Sequence, residues 1–186
     1  MSSSTLTDTV HVPPGDALND GAPDPGRRAA DGLSNDYLNH FNEVLMLVEI
    51  AADAPEIVED LKDWRPISYP DYFACSQLRR APQARAAYDA LTQENRAAFE
   101  ELVHAMDRLA MTAIRALRPP CEPDDAALVA EVTGPALRAL IAQAGAFLNS
   151  GGRAIPDSGE IEEAQLVIDR LLAHRGSDED TQSIEE

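Results

Sequence analysis

The sequence predicts an all-α fold: an irregular helical bundle with long antiparallel helices and disordered termini. Three observations predict it. Apolar residues recur at three- and four-residue spacing through most of the stretch 34–174. No run alternates apolar and polar residues around a hairpin turn, and no internal repeat occurs. Hydrophobic residues make up 44% of the 186-residue chain but aromatics only 5%, so the core must be built mainly from Ala, Leu, Val and Ile on helix faces.

Each element has its own signals. Residues 1–33 are rich in Ser, Thr, Asp, Gly and Pro without apolar periodicity, and read as a disordered tail. Ser34, Asn35 and Asp36 can cap a helix to about Ala52, along which Tyr37, Leu38, Phe41, Val44, Leu45 and Val48 share a face. Met46, Leu47 and Ile50 give that helix a second apolar face. A short helix follows over 55–63, opened by Pro55. Pro66 and Pro70 make 64–70 a turn, because proline disfavours helix at the residue before it. Short helices are expected over 71–78 and 82–91.

Thr92 caps the longest helix, 93–117, roughly 37 Å long, which Pro119 and Pro120 end. A further helix spans 124–149, with Thr133, Gly134 and Pro135 marking a kink or a restart. The helical domain is thus 34–149. Gly151 and Gly152 begin a glycine-rich linker, 150–159, before an amphipathic C-terminal helix over 160–174. The acidic stretch 175–186 reads as a second disordered tail.

Charge and composition exclude some classes. The net charge of −18 repels phosphate backbones and anionic lipid, so neither nucleic acid nor membrane is an expected partner. No secretory signal is visible, and the longest apolar run, Val44 to Val48, is far too short to span a bilayer. Cys75 and Cys121 cannot form a disulfide framework, and a cytoplasmic location fits. In its apolar context Cys75 reads as a small core residue.

Chemistry-bearing patterns are sparse. Glu101 and His104 form a Glu-x-x-His pair, but a di-metal bundle needs two such motifs and further glutamates. Phosphate-binding loops and a serine elbow are absent. No catalytic residue, metal or cofactor is therefore expected. The segment from Trp64 to Phe73 concentrates aromatics, so Trp64 and Tyr69 are candidate partner anchors, or else plugs between helices.

The C-terminal stretch reads Gln165-Leu-Val-Ile168-Asp169-Arg-Leu171-Leu172, with acids on both sides. It resembles the CheY-binding peptides of the chemotaxis phosphatase CheZ and the flagellar switch protein FliM, which carry a Gln, an Ile-Asp or Val-Asp pair and then two leucines. The resemblance covers eight residues. It implies that Gln165, Ile168, Asp169, Leu171 and Leu172 grip a response-regulator receiver domain. The rest of the chain departs from CheZ: its acid and glutamine one turn apart on one helix have no counterpart, since Thr92 interrupts Asp89 and Gln93. The stretch 34–117 resembles a group of proteobacterial all-helical proteins of no assigned activity.

The expectation is a non-enzymatic adaptor or regulator that binds protein partners, with a receiver domain in motility or chemotaxis signalling as the specific form. A divergent receiver phosphatase or metal-dependent bundle enzyme, and a structural subunit of a homo-oligomer, stay open as alternatives. Whether 160–174 is a tethered arm or a core helix also stays open.

Overall fold

The structure, a computed structural model, describes residues 32–182, and the side chains of Pro55 and 174–182 lie outside that description. All regular structure in the described residues is helical. A 3₁₀ turn, Asn35–Leu38, leads into α1 (Asn39–Ile50). A second, Pro55–Ile57, leads into α2 (Val58–Leu61). Then follow α3 (Tyr69–Cys75), α4 (Ala81–Asp89), α5 (Gln93–Ala116), α6 (Pro123–Asn149) and α7 (Ser158–Gln182).

The long helix α5 is the centre. Phe99, Leu102, Met106, Leu109, Ala113 and Leu117 are at most 1% exposed. They lie at helical spacing, so one stripe meets α6 and α7 together, and α1 closes the bundle against α6. Leu137, Leu140, Ala144 and Phe147 are fully buried on α6. Phe147 stacks on Phe99 at 4.8 Å between ring centroids. Thr92 caps α5 by accepting the Asn95 N–H on its hydroxyl.

Several boundaries differ from the expectations. The helix after the 64–70 turn begins at Tyr69 rather than at 71 and stops at Cys75 rather than 78. Ser68 caps it, which places Pro70 in the first turn, where its missing N–H costs no hydrogen bond. Tyr69 and Phe73, four apart, form its buried face, and Cys75 is consequently exposed rather than a core residue. On α1, Leu47 is buried while Met46 and Ile50 stay exposed, so the second apolar face is only partly used.

The Pro135 region is not a restart: α6 is one helix with Pro135 inside it. Glu131, whose carbonyl loses its partner to Pro135, is exposed, as is Pro135 itself, so water reaches that group. Gly134 lies on the opposite side, close against α1. A Cβ there would lie 3.0 Å from Glu49 Oε1 of α1. Glu49 in turn meets Arg138 Nη2 at 2.5 Å, close but not aligned as a hydrogen bond.

The glycine-rich stretch is a packed turn, not a slack linker. Gly151 N–H donates to the Leu148 carbonyl and Gly152 N–H to the Phe147 carbonyl, the paired bonds that close a helix on left-handed glycines. Both glycines have positive φ, 67° and 80°. A Cβ on Gly152 would run into the Leu91 side chain. The Ser150 hydroxyl oxygen accepts from the N–H groups of Arg153 and Ala154, and Gln143 accepts from Asp157 N–H.

The chain then turns back, and α7 docks along α5 and α6. Ala164, Ile168 and Leu171 belong to the main core. The C-terminal helix is therefore part of the bundle and not a tethered arm: its i, i+4, i+7 face is buried. Its backbone also runs on to Gln182, through most of the stretch expected to be a disordered tail. A docked helix is already nucleated, so each further residue costs only propagation. The expected N-terminal tail covers 1–33, of which 1–31 lie outside the described residues.

Candidate functional site

The 64–70 turn is held by side-chain hydrogen bonds and ring contacts from neighbouring elements. Trp64 packs its ring on His40 at 4.6 Å, nearly parallel, and its indole N–H donates to the His40 carbonyl. The Tyr37 hydroxyl donates to the Ile67 carbonyl at 2.8 Å. Tyr69 accepts from Ser34 N–H at 2.7 Å, and the Tyr72 hydroxyl donates to the Asp36 carbonyl. Tyr37, Tyr69, Tyr88 and Phe99 form a contiguous aromatic cluster beneath the turn. Burial first, and then the neighbouring Asp107 charge, raise the Tyr37 phenol. Burial likewise pushes Tyr69 up to about 12. These hydroxyls stay protonated and act as fixed struts.

Three hollows open around this turn, and all three include Pro66. The first, about 440 Å³, lies between the turn and α5 and is walled by Tyr69, Tyr88, Phe99 and Val103. Glu100, His104 and Asp107 line its α5 side at i, i+4 and i+7. The second, about 410 Å³, lies on the α1 side, where Trp64, Tyr72 and Leu47 adjoin Glu43, Asp60 and Asp63. The third, about 300 Å³, lies between α5 and α7, lined by Met111, Arg108, Gln165, Ile168 and Leu172 among others.

Asp107 borders both the first and the third hollows. Its Oδ1 is buried with no hydrogen-bond partner. Burial lifts its carboxyl to about 6, and the nearby His104 only partly offsets the lift. Tyr88 donates to Glu100 Oε1 at 2.6 Å, which orients that carboxylate at the rim. His40, in the wall of the second hollow, is held below its ordinary pKa by burial, and the Arg65 backbone pulls the other way.

The sequence-derived site residues fall into this picture unevenly. Trp64 and Tyr69 are 6% and 2% exposed. They are the floor and walls of two hollows rather than protruding anchors. Gln165, Ile168 and Leu172 line the third hollow. Asp169 and Leu171 line none of the three. The polar pair of the motif is internally bonded, Gln165 Nε2 donating to Asp169 Oδ1 at 2.9 Å. Ile168 and Leu171 are 6% and 2% exposed, so the apolar half of the motif is committed to the core, and only Leu172 and Leu166 present apolar surface, 52% and 69% exposed.

The chain matches no family model, no curated protein and no solved structure. The site therefore has to be read from its own chemistry. No helix in the described residues is long and apolar enough to cross a membrane. Glu101 is exposed and lines none of the hollows, whereas Glu100, His104 and Asp107 share one. Among the described residues no three His, Cys, Asp or Glu side chains gather as a metal site. Asp89 ends α4 and Gln93 begins α5, so this acid and glutamine sit on different helices.

Sequence reasoning missed Pro66, Glu100 and Asp107. The signal for Asp107 was present: it sits at the 103, 107, 110 spacing, an acid on the edge of an otherwise apolar stripe. Pro66 had no signal, since its position between three hollows is a product of tertiary packing.

Proposed function

We propose that the chain is a non-enzymatic protein-interaction module, and that its contact face is the braced 64–70 turn with the hollows around it. One observation carries the reading: three concave sites, from α1, α5 and α7, share Pro66. Rigid aromatic struts hold the turn, so binding there requires little new ordering. Apolar floors under charged rims are the common anatomy of a protein contact.

The receiver-domain form of this proposal rests on the Gln165 to Leu172 resemblance alone. It requires either that Ile168 and Leu171 leave the core or that the receiver reads only Gln165, Leu166, Asp169 and Leu172.

The test is site-specific photo-cross-linking in cells. A cross-linker at Ile67 or Met111, both half-buried, should trap a defined protein partner. The same group at Met46, exposed on α1 and outside all three hollows, should not trap it. Equal capture from all three positions, or none from Ile67 and Met111, overturns the reading.

A further inference from the structure

We infer that the ridge of Pro66 and Ile67 receives a basic segment of a protein partner, with one arginine side chain entering the hollow at Asp107 and Glu100 and a second entering the hollow at Glu43, Asp60 and Asp63. The inference rests on the proposed contact face and names the chemistry of its partner.

The two hollows share Pro66 and Ile67 and have the same make-up. Each combines aromatic wall with carboxylates, and each is short of positive charge. In the first, the basic residue is His104, and Asp107 Oδ1 accepts nothing. In the second, the exposed Arg65 is itself part of the lining and donates through Nη1 to the backbone carbonyls of Lys62 and Trp64, which leaves three carboxylates against one guanidinium and His40. What both sites call for is a further set of N–H donors carrying positive charge, since carboxylates outnumber basic side chains in each.

A guanidinium supplies that set. Its planar fork matches carboxylate geometry, and its faces pack on aromatic rings such as that of Trp64, which lines the second hollow. Each hollow has room for one long side chain with part of its backbone. A free amine would need one site. Two like sites on either side of a two-residue ridge call for a ligand with a backbone. Nucleic acid is the wrong sign for both.

The test uses the full chain and a fluorescein-labelled peptide, Gly-Arg-Ala-Ala-Arg-Gly, with anisotropy as the readout. The comparison peptide carries citrulline, the neutral isostere, at both arginines. The arginine peptide should bind at least about tenfold more tightly. Asp107→Asn and Glu100→Gln should each weaken it by about tenfold, and Gln at 100 can still accept from Tyr88, so that variant keeps the strut. The double variant Glu163→Gln, Glu162→Gln removes two exposed charges of α7 away from the hollows. It should change affinity less than about twofold, since distant charges are screened.

Equal binding of the citrulline peptide, equal losses in the hollow and α7 variants, or no binding by the wild type each overturns the inference. Failure here is separable from failure of the contact face. If Ile67 still cross-links its partner in the Asp107→Asn chain, the face stands and arginine recognition falls.

Discussion

At Asp107 a buried carboxylate costs the fold stability. Its carboxyl is raised to about 6 because burial penalises the charge more than His104 compensates. The sign follows from linkage. The folded state holds this proton more tightly than the unfolded state, so the stabilising contribution is complete below the unfolded value and is lost as pH rises through about 6. Asp107→Asn should remove that loss. Because the group is part-exposed, the gain at neutral pH is discounted to about 1 kcal/mol, or roughly 2–4 °C in Tm. Melts of the two chains from acid to neutral pH check it: the curves should diverge as pH rises through the titration, with the Asn variant the more stable. A less stable Asn variant at neutral pH would mean that Asp107 is a structural acceptor. His40 acts in the opposite sense. Its lowered pKa makes it cost stability as pH falls below its ordinary 6.5.

At the scale of elements, most helices were legible because their signals are local. Thr92 at the start of α5 and the Gly151, Gly152 pair at the end of α6 did as their chemistry dictates. The misreadings came where tertiary context decides. Pro70 starts a helix because Ser68 supplies a cap, and of the two expectations at Pro135 only the restart fails, because the carbonyl it frees belongs to the exposed Glu131. The C-terminal helix is the clearest case. Its Ile168, Leu171 spacing suits a partner's groove and the chain's own core equally well, and only the closed turn at Gly151 and Gly152 directs it back onto α5. Alanine at Ile168 or Leu171 should therefore cost about 2–4 kcal/mol in urea or thermal melts. Alanine at Leu166 or Leu172, both more than half exposed, should cost about 0.5 kcal/mol or less. Equal small losses at all four positions would show that the helix is a detached arm. The hollows were less legible than the helices, because each joins residues from at least two elements far apart in sequence.

For the whole molecule the governing quantity is the net charge of −18. Residues 157–186 alone hold ten acids against Arg170 and Arg175. Four of these acids, Glu160, Glu162, Glu163 and Asp169, sit on the described turns of α7, whose buried face is pressed against the bundle, so folding gathers like charges that an unfolded chain could spread apart. Among the described residues the ion pairs Lys62 with Glu59 and Arg138 with Glu49 involve part-exposed side chains and offset little of this. Screening should then favour the folded state. Raising sodium chloride from about 0.01 M to about 0.5 M shortens the reach of surface charge from roughly 30 Å to a few ångströms. The expected gain is of order 1 kcal/mol, seen as a Tm higher by about 2–4 °C. Chloride is the right salt, because sulfate strengthens apolar burial by itself and would raise Tm in any protein. The rise should flatten when Glu162 and Glu163, both exposed on α7, are replaced by Gln. A Tm that falls with sodium chloride would show the reverse balance, with attractive pairs outweighing repulsion. In that case the acidic surface would be held by its few cations, and neutralising Arg138 should destabilise the chain more at low salt than at high.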